Sequence, residues 1–182
     1  MNAIFVAGTD TGVGKTFVTK LIARRLSARG CKVATQKWVE TGVRKSRAVY
    51  SFRMAASPHL AARREKKAID IKKIKAALKK LSKKNDIVIV EGTGGLLVPL
   101  TGKKLLIDVV KALKIPVLLV SANRLGAINQ TLLSIEALRA RKMALLGVVF
   151  NNIPKKENAL ILKDNPKIVK KFIGSIPVWI NG

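Results

Sequence analysis

One cysteine and one histidine in 182 residues leave little room for sulfur or imidazole chemistry. Cys31 alone can neither close an internal disulfide nor build a cysteine-only zinc site. Between Gly30 and Lys32, at the entry to an expected strand, it reads as packing. His59 has no Asp or Cys at metal-ligand spacing, so packing or capping is expected of it rather than catalysis. Carboxylates are scarce too: 10 Asp plus Glu stand against 36 Lys plus Arg, a formal charge of +26. Such a field attracts polyanions whether or not binding them is its purpose. The clearest lysine run, Lys72, Lys73, Lys75, Lys79, Lys80, Lys83 and Lys84, is interleaved at helical spacing with Ile71, Ile74, Leu78 and Leu81. No aromatic residue is interleaved for base stacking, so the run reads as a solvated helix face, and nucleic acid is not expected as a partner. The first strand begins at Asn2, with no basic leader and long apolar stretch before it and no transmembrane span elsewhere. A cytoplasmic protein is expected. No internal repeat or low-complexity linker divides the chain, and its length suits a single domain, residues 1–182, with a core that needs no staples.

What is present is concentrated in Gly8-Thr9-Asp10-Thr11-Gly12-Val13-Gly14-Lys15-Thr16, which follows the apolar run Ala3–Ala7 and precedes a helical pattern from Phe17. Strand, glycine loop and helix are the context of a phosphate-binding loop. Gly12 and Gly14 let the backbone approach phosphate oxygens, and successive N–H groups with the helix N-terminus face the anion. Lys15 can reach the β- and γ-phosphates, and the Thr16 hydroxyl can ligate a phosphate-bound Mg²⁺. The first glycine lies at Gly8, one residue before its position in the strict motif, so the loop is longer than usual.

Along the chain, a helix ends at Gly30 and a strand, Lys32–Gln36, ends on Lys37. The C-terminal end of a strand in an open α/β sheet faces the ligand crevice, which makes Lys37 a site candidate by topology. Residues 43–56 read as an irregular basic loop, and Ser57-Pro58 opens a short helix. The buried strand Ile87–Val90 ends in Glu91-Gly92-Thr93-Gly94-Gly95, and an acid at such a tip is placed to serve as a metal carboxylate. There follow a helix Leu105–Leu113, a strand Pro116–Val120, a helix from Gly126, a strand Leu145–Phe150 reaching Asn151-Asn152, and a short strand Phe172–Ile176 leading into Pro177. Alternating strands and helices give an α/β fold with a doubly wound, mostly parallel sheet, of the P-loop NTPase kind.

These segments, with Glu40-Thr41-Gly42, Ser57-Pro58-His59, Pro99-Leu100 and Leu125-Gly126-Ala127-Ile128-Asn129, resemble the dethiobiotin synthetases over nearly the whole length. The longer phosphate loop is usual in that family. The resemblance implies an ATP-dependent cyclo-ligase that builds a cyclic urea from 7,8-diaminononanoate, CO₂ and MgATP. A carbamate forms, is activated by the γ-phosphate, and is closed by the neighbouring amine. It implies Lys37 beside the carbamate together with Lys15, and Thr11, Thr41, Leu125 and Gly126 on the substrate. Thr16 and Glu91 would hold Mg²⁺. The nucleotide would lie on Gly12, Val13, Gly14, Lys15, Thr16, Phe17, Glu91, Gly92, Thr93 and Gly94, with Asn151 reading adenine beside Asn152, and Pro177, Val178 and Trp179 completing the pocket. A homodimer with the segment from Leu125 to Asn129 at its contact is implied as well.

Three departures from the family pattern stand out. Trp38 occupies the usual proline position after the active lysine, and the acidic residue expected for the ribose beyond the last strand is not found. The segment after Thr41-Gly42, where an aspartate metal ligand belongs, is Val43-Arg44-Lys45-Ser46-Arg47-Ala48 and holds no acid. Asp10 is then the other nearby carboxylate to nominate, with Arg47 in the place of the missing acid. Two rival functions follow: a nucleotide-binding relative without ring closure, and a DNA-associated partitioning ATPase. Asp10 argues against the second, because that group places a signature lysine there.

Overall fold

The computed structural model describes residues 2–153 and 157–181. In chain order its elements are β1 Ala3–Gly8, α1 Lys15–Ser27, β2 Val33–Lys37, β3 Val39–Thr41, β4 Tyr50–Phe52, α2 Pro58–Arg64, α3 Ile71–Ser82 and β5 Ile87–Gly95. They continue with β6 Pro99–Thr101, β7 Lys104–Leu105, α4 Leu106–Ala112, β8 Val117–Ala122, α5 Ala127–Ala140, β9 Leu145–Asn151, α6 Ala159–Ile173 and β10 Val178–Asn181. Six strands form one sheet in the order β10-β9-β8-β1-β5-β2, and every pairing in it is parallel. The chain runs from β1 towards β2 and β5 on one side and towards β8, β9 and β10 on the other. The reversal flanks β1, and an open α/β sheet leaves its ligand crevice at that point.

Composition explains the layering. β8 is buried at every residue, and Val88, Ile89 and Val90 of β5 are inaccessible, as strands covered on both faces must be. α3 carries its lysines outward while Ile74 and Leu78 are fully buried, and Asp70 caps it by accepting from Lys72 N at 2.7 Å. Trp38 is 1% exposed, its ring centroid 5.1 Å from that of Phe5, so the bulky residue after Lys37 is a core anchor. Among the described residues no helix is long and apolar enough to cross a membrane.

Two expectations need correction, and one helix stands where the sequence suggests no element. The basic stretch 43–56 is not wholly irregular, since Tyr50–Phe52 pairs in parallel with Val39–Thr41. α6 occupies ground where Pro166 and Asn165 interrupt any helical pattern; Asn165 is buried and spends its amide on Asn123 Oδ1 and the Arg124 carbonyl. The last strand is Val178–Asn181, not Phe172–Ile176: Phe172 and Ile173 end α6, Gly174 closes it at φ 68, and Val178 registers with Val148.

Candidate active site

The phosphate loop lies between β1 and α1. Gly14 caps α1 in the left-handed conformation, φ 90, and a Cβ there would fall 1.9 Å from Asn151 Nδ2, so a side chain is excluded on two counts. The Asn151 amide closes over the loop, donating to the Val13 carbonyl at 3.1 Å and accepting from Asn181 Nδ2 at 2.8 Å. Lys15 folds back and donates from Nζ to the Asp10 carbonyl at 2.8 Å. Burial is the main cause of its lowered pKa, and Lys37 adds to it, while Glu91 and Asp10 oppose.

Opposite the loop, β2 and β5 deliver a cation and an acid in register: Lys37 pairs with Glu91. Thr16 Oγ1 donates to Glu91 Oε1 at 2.5 Å, and Lys37 Nζ lies 3.5 Å from the same oxygen. Lys37 makes its shorter ion pair, 2.6 Å, with Glu40 Oε1, and Ser46 Oγ donates to Glu40 Oε2. Burial pulls the Lys37 pKa down, but the hydrogen bond to Glu40 and the charge of Glu91 more than offset it, leaving it raised. Burial likewise pushes Glu40 up, and its hydrogen bonds to Lys37 and Ser46 bring it below the usual carboxylate range.

A cavity of about 310 Å³ gathers Thr11, Gly12, Gly14, Lys15, Thr16, Lys37, Thr41, Glu91, Gly92, Thr93 and Gly94 with Val39 and Glu40. Thr93 Oγ1 is turned to the Val39 carbonyl, and Gly92 lies where a Cβ would meet Phe5. Of the remaining sequence candidates, Val13 is buried beneath the loop, Phe17 is exposed on α1, and Asn151 and Asn152 stand at the tip of β9. Asn152 accepts from Asn123 Nδ2 at 2.9 Å. Leu125, 77% exposed, and Gly126 open α5 away from the cavity wall.

Pro177, Val178 and Trp179 do not join the cavity. β10 is an edge strand in which Trp179 registers with Val149, lies against Gly147 and lines an apolar groove beside α1, while Asn181 bonds to Asn151 at the loop. Asp10 is also not on the wall: its carboxylate accepts from Thr11 N at 2.6 Å and approaches Arg124 at 3.9 Å. The acid that does reach the cavity is Glu40. Its signal in the sequence was its place three residues after a strand-end lysine, and it took the break between β2 and β3 to turn it back. Ser46 and Arg47 line an adjoining cavity of about 380 Å³ with Thr16, Lys37, Glu40 and Glu91.

The sequence places Glu91 at a strand tip, but β5 runs on to Gly95 and Glu91 lies midway along it. A parallel sheet whose first strand feeds a glycine loop, with a lysine, a threonine and this buried acid converging there, defines a P-loop nucleotide-dependent enzyme. A family model described as an AAA domain matches residues 2–180. An ATP-dependent dethiobiotin synthetase of Haemophilus influenzae is 37% identical over 185 residues, covering 89% of this chain and 97% of that protein. Those of Lysinibacillus sphaericus and Methanococcus vannielii are 41% and 35% identical, covering 83% and 93% of this chain and 76% and 88% of theirs. The chain belongs to the ATP-dependent dethiobiotin synthetase family. Solved structures of a ParA-family ATPase from Chlorobium tepidum and of the septum site-determining protein MinD with Mg-ADP from Pyrococcus horikoshii superpose with TM-scores of 0.63 and 0.61. They are 12% and 15% identical, covering 100% and 97% of this chain and 85% and 79% of theirs, a likeness of fold alone.

Proposed function

We propose that the protein is the ligase of biotin synthesis that closes the cyclic urea of dethiobiotin from 7,8-diaminononanoate and CO₂, converting ATP to ADP and phosphate. The observation that carries the reading is the convergence of Lys15, Lys37, Thr16 and Glu91 on one cavity whose rim includes Thr41. A carbamate and a transferring phosphoryl group are both anionic, and two ammonium groups between loop and strand tip are placed to stabilise the charge shared by them. The raised pKa of Lys37 favours its ammonium form, which donates hydrogen bonds to such anions.

The donor set also suits Mg²⁺. Thr16 and the nearly buried Glu91 offer hard oxygen ligands already in contact with each other, and Mg²⁺ favours one or two carboxylates completed by water and phosphate. Bound there it would neutralise phosphate charge, with Thr16 and Glu91 as its protein ligands. Asn151, which bonds to the Val13 carbonyl of the loop, would read the base, with Asn152 beside it. We further place the working enzyme in the cytoplasm, where its ATP is held, as a homodimer through the exposed start of α5.

The test is an assay of purified protein with 7,8-diaminononanoate, bicarbonate, ATP and Mg²⁺. Dethiobiotin formed in step with ADP is the expected product; nucleotide binding without any ring closure would overturn the reading.

A further inference from the structure

We propose that Glu40 is the positioning residue for Lys37, fixing its ammonium in the cavity independently of Glu91. The inference rests on the role given above to Lys37, and it is carried by how the two carboxylates divide their oxygens. Glu91 Oε1 is shared, accepting from Thr16 at 2.5 Å while lying 3.5 Å from Lys37 Nζ. Glu40 Oε1 contacts Lys37 at 2.6 Å, so the shorter bond is to the residue that belongs to neither the loop nor the sheet.

Glu40 is itself held at both ends. Its backbone sits in β3, in register with Ser51 of β4. Its Oε2 accepts from Ser46 Oγ, and Ser46 Oγ in turn accepts from Ala48 N at 3.0 Å, so the carboxylate is tied to the 43–48 segment. A lysine has four side-chain torsions and loses much rotamer freedom when ordered. Once Glu91 turns its oxygens towards a metal beside Thr16, a single oriented carboxylate remains for Lys37, and it is Glu40. The same geometry assigns Ser46 the task of orienting Glu40, a use for a segment whose other residues on that wall are Arg47 and Ala48.

A double-mutant cycle tests this, since groups that act through one another are non-additive. Glu40→Gln is expected to lower kcat by about 10-fold or more while KM for ATP stays within about 3-fold, the scale of one mispositioned charge stabiliser. In the Lys37→Gln background the same change is expected to cost nothing further. Ser46→Ala should produce a smaller loss that also vanishes in that background, which keeps the test alive if Glu40→Gln folds poorly. Mn²⁺ binding in the presence of ADP, read by electron paramagnetic resonance, should be unchanged in Glu40→Gln; a weaker site would make Glu40 a metal ligand and overturn the proposal, as would additive losses.

A readout free of turnover separates this inference from the proposed reaction. In protein with ¹³C-methylated lysines, the Lys37 resonance, assigned by its loss in Lys37→Gln, should narrow towards free-lysine mobility in Glu40→Gln and Ser46→Ala. If parent protein makes no dethiobiotin but this mobility change occurs, the ligase reading fails and the Glu40–Lys37 coupling stands. If Lys37 mobility is the same in all of them, the positioning role fails whatever the assay shows.

Discussion

Lys37 and Glu91 are register partners across the β2–β5 ladder, and the ammonium of one lies 3.5 Å from the carboxylate of the other. Parallel pairing sets the last residue of β2 beside Glu91, midway along β5, so opposite charges meet where the glycine loop also opens.

Lys37→Gln keeps the polar contact but removes the charge. ATP affinity by calorimetry is expected to be unchanged, with ring closure slower by at least ~100-fold, the scale of losing one preorganised charge stabiliser. Near-normal turnover would remove Lys37 from the site.

Lys15→Ala should abolish nucleotide binding and activity together while leaving the melting transition nearly in place. Among the described residues its Nζ bonds only to the Asp10 carbonyl, and the burial that lowers its pKa means that the folded protein bears a desolvation cost for it. ATP affinity equal to the parent's would end the phosphate-loop reading.

The Glu40 pKa is lowered in the fold, so its contribution to stability is present above the ordinary carboxylate range and is lost as pH falls through the lowered value. Parent and Glu40→Gln should differ in urea midpoint at neutral pH and converge in acid. A difference that persists undiminished below pH ~2, past both states of any such carboxyl, would show that it does not come from the charge.

How much of this was legible beforehand follows the range of each signal. The glycine loop is contiguous and announces itself, and Lys37 and Glu91 follow from apolar runs that end on a charge, because strand tips face the crevice. β10 is different: Ile-Pro-Val reads equally well as a strand end or a strand entry, and only pairing against β9 decides which. Glu40 depended on a turn of the backbone around buried Trp38, which no local pattern shows.

Arg47 lines the cavity shared by Thr16 and Glu91, so its charge opposes a divalent cation there. Arg47→Asp is expected to raise Mg²⁺ affinity and the rate of ligation. Calorimetry and the ligase assay both matching the parent would mean that the segment does not act on the metal.

The protein is expected to be a dimer at micromolar concentration by light scattering, with Leu125, 77% exposed at the entry to α5, at the contact. Leu125→Glu should shift it to monomer and lower activity with it. A monomeric parent that retains full activity would contradict the assembly.

The chain has two tryptophans, and the fold separates them. Trp38 is sealed behind the Lys37 strand end against Phe5, while Trp179 stands half in water on the edge strand β10. Exciting the indoles therefore reads two unlike surroundings, a blue-emitting dry one and a red-emitting wet one. With Trp179→Phe the remaining emission reports from one residue away from Lys37, so filling of the cavity can be followed in real time without any added dye.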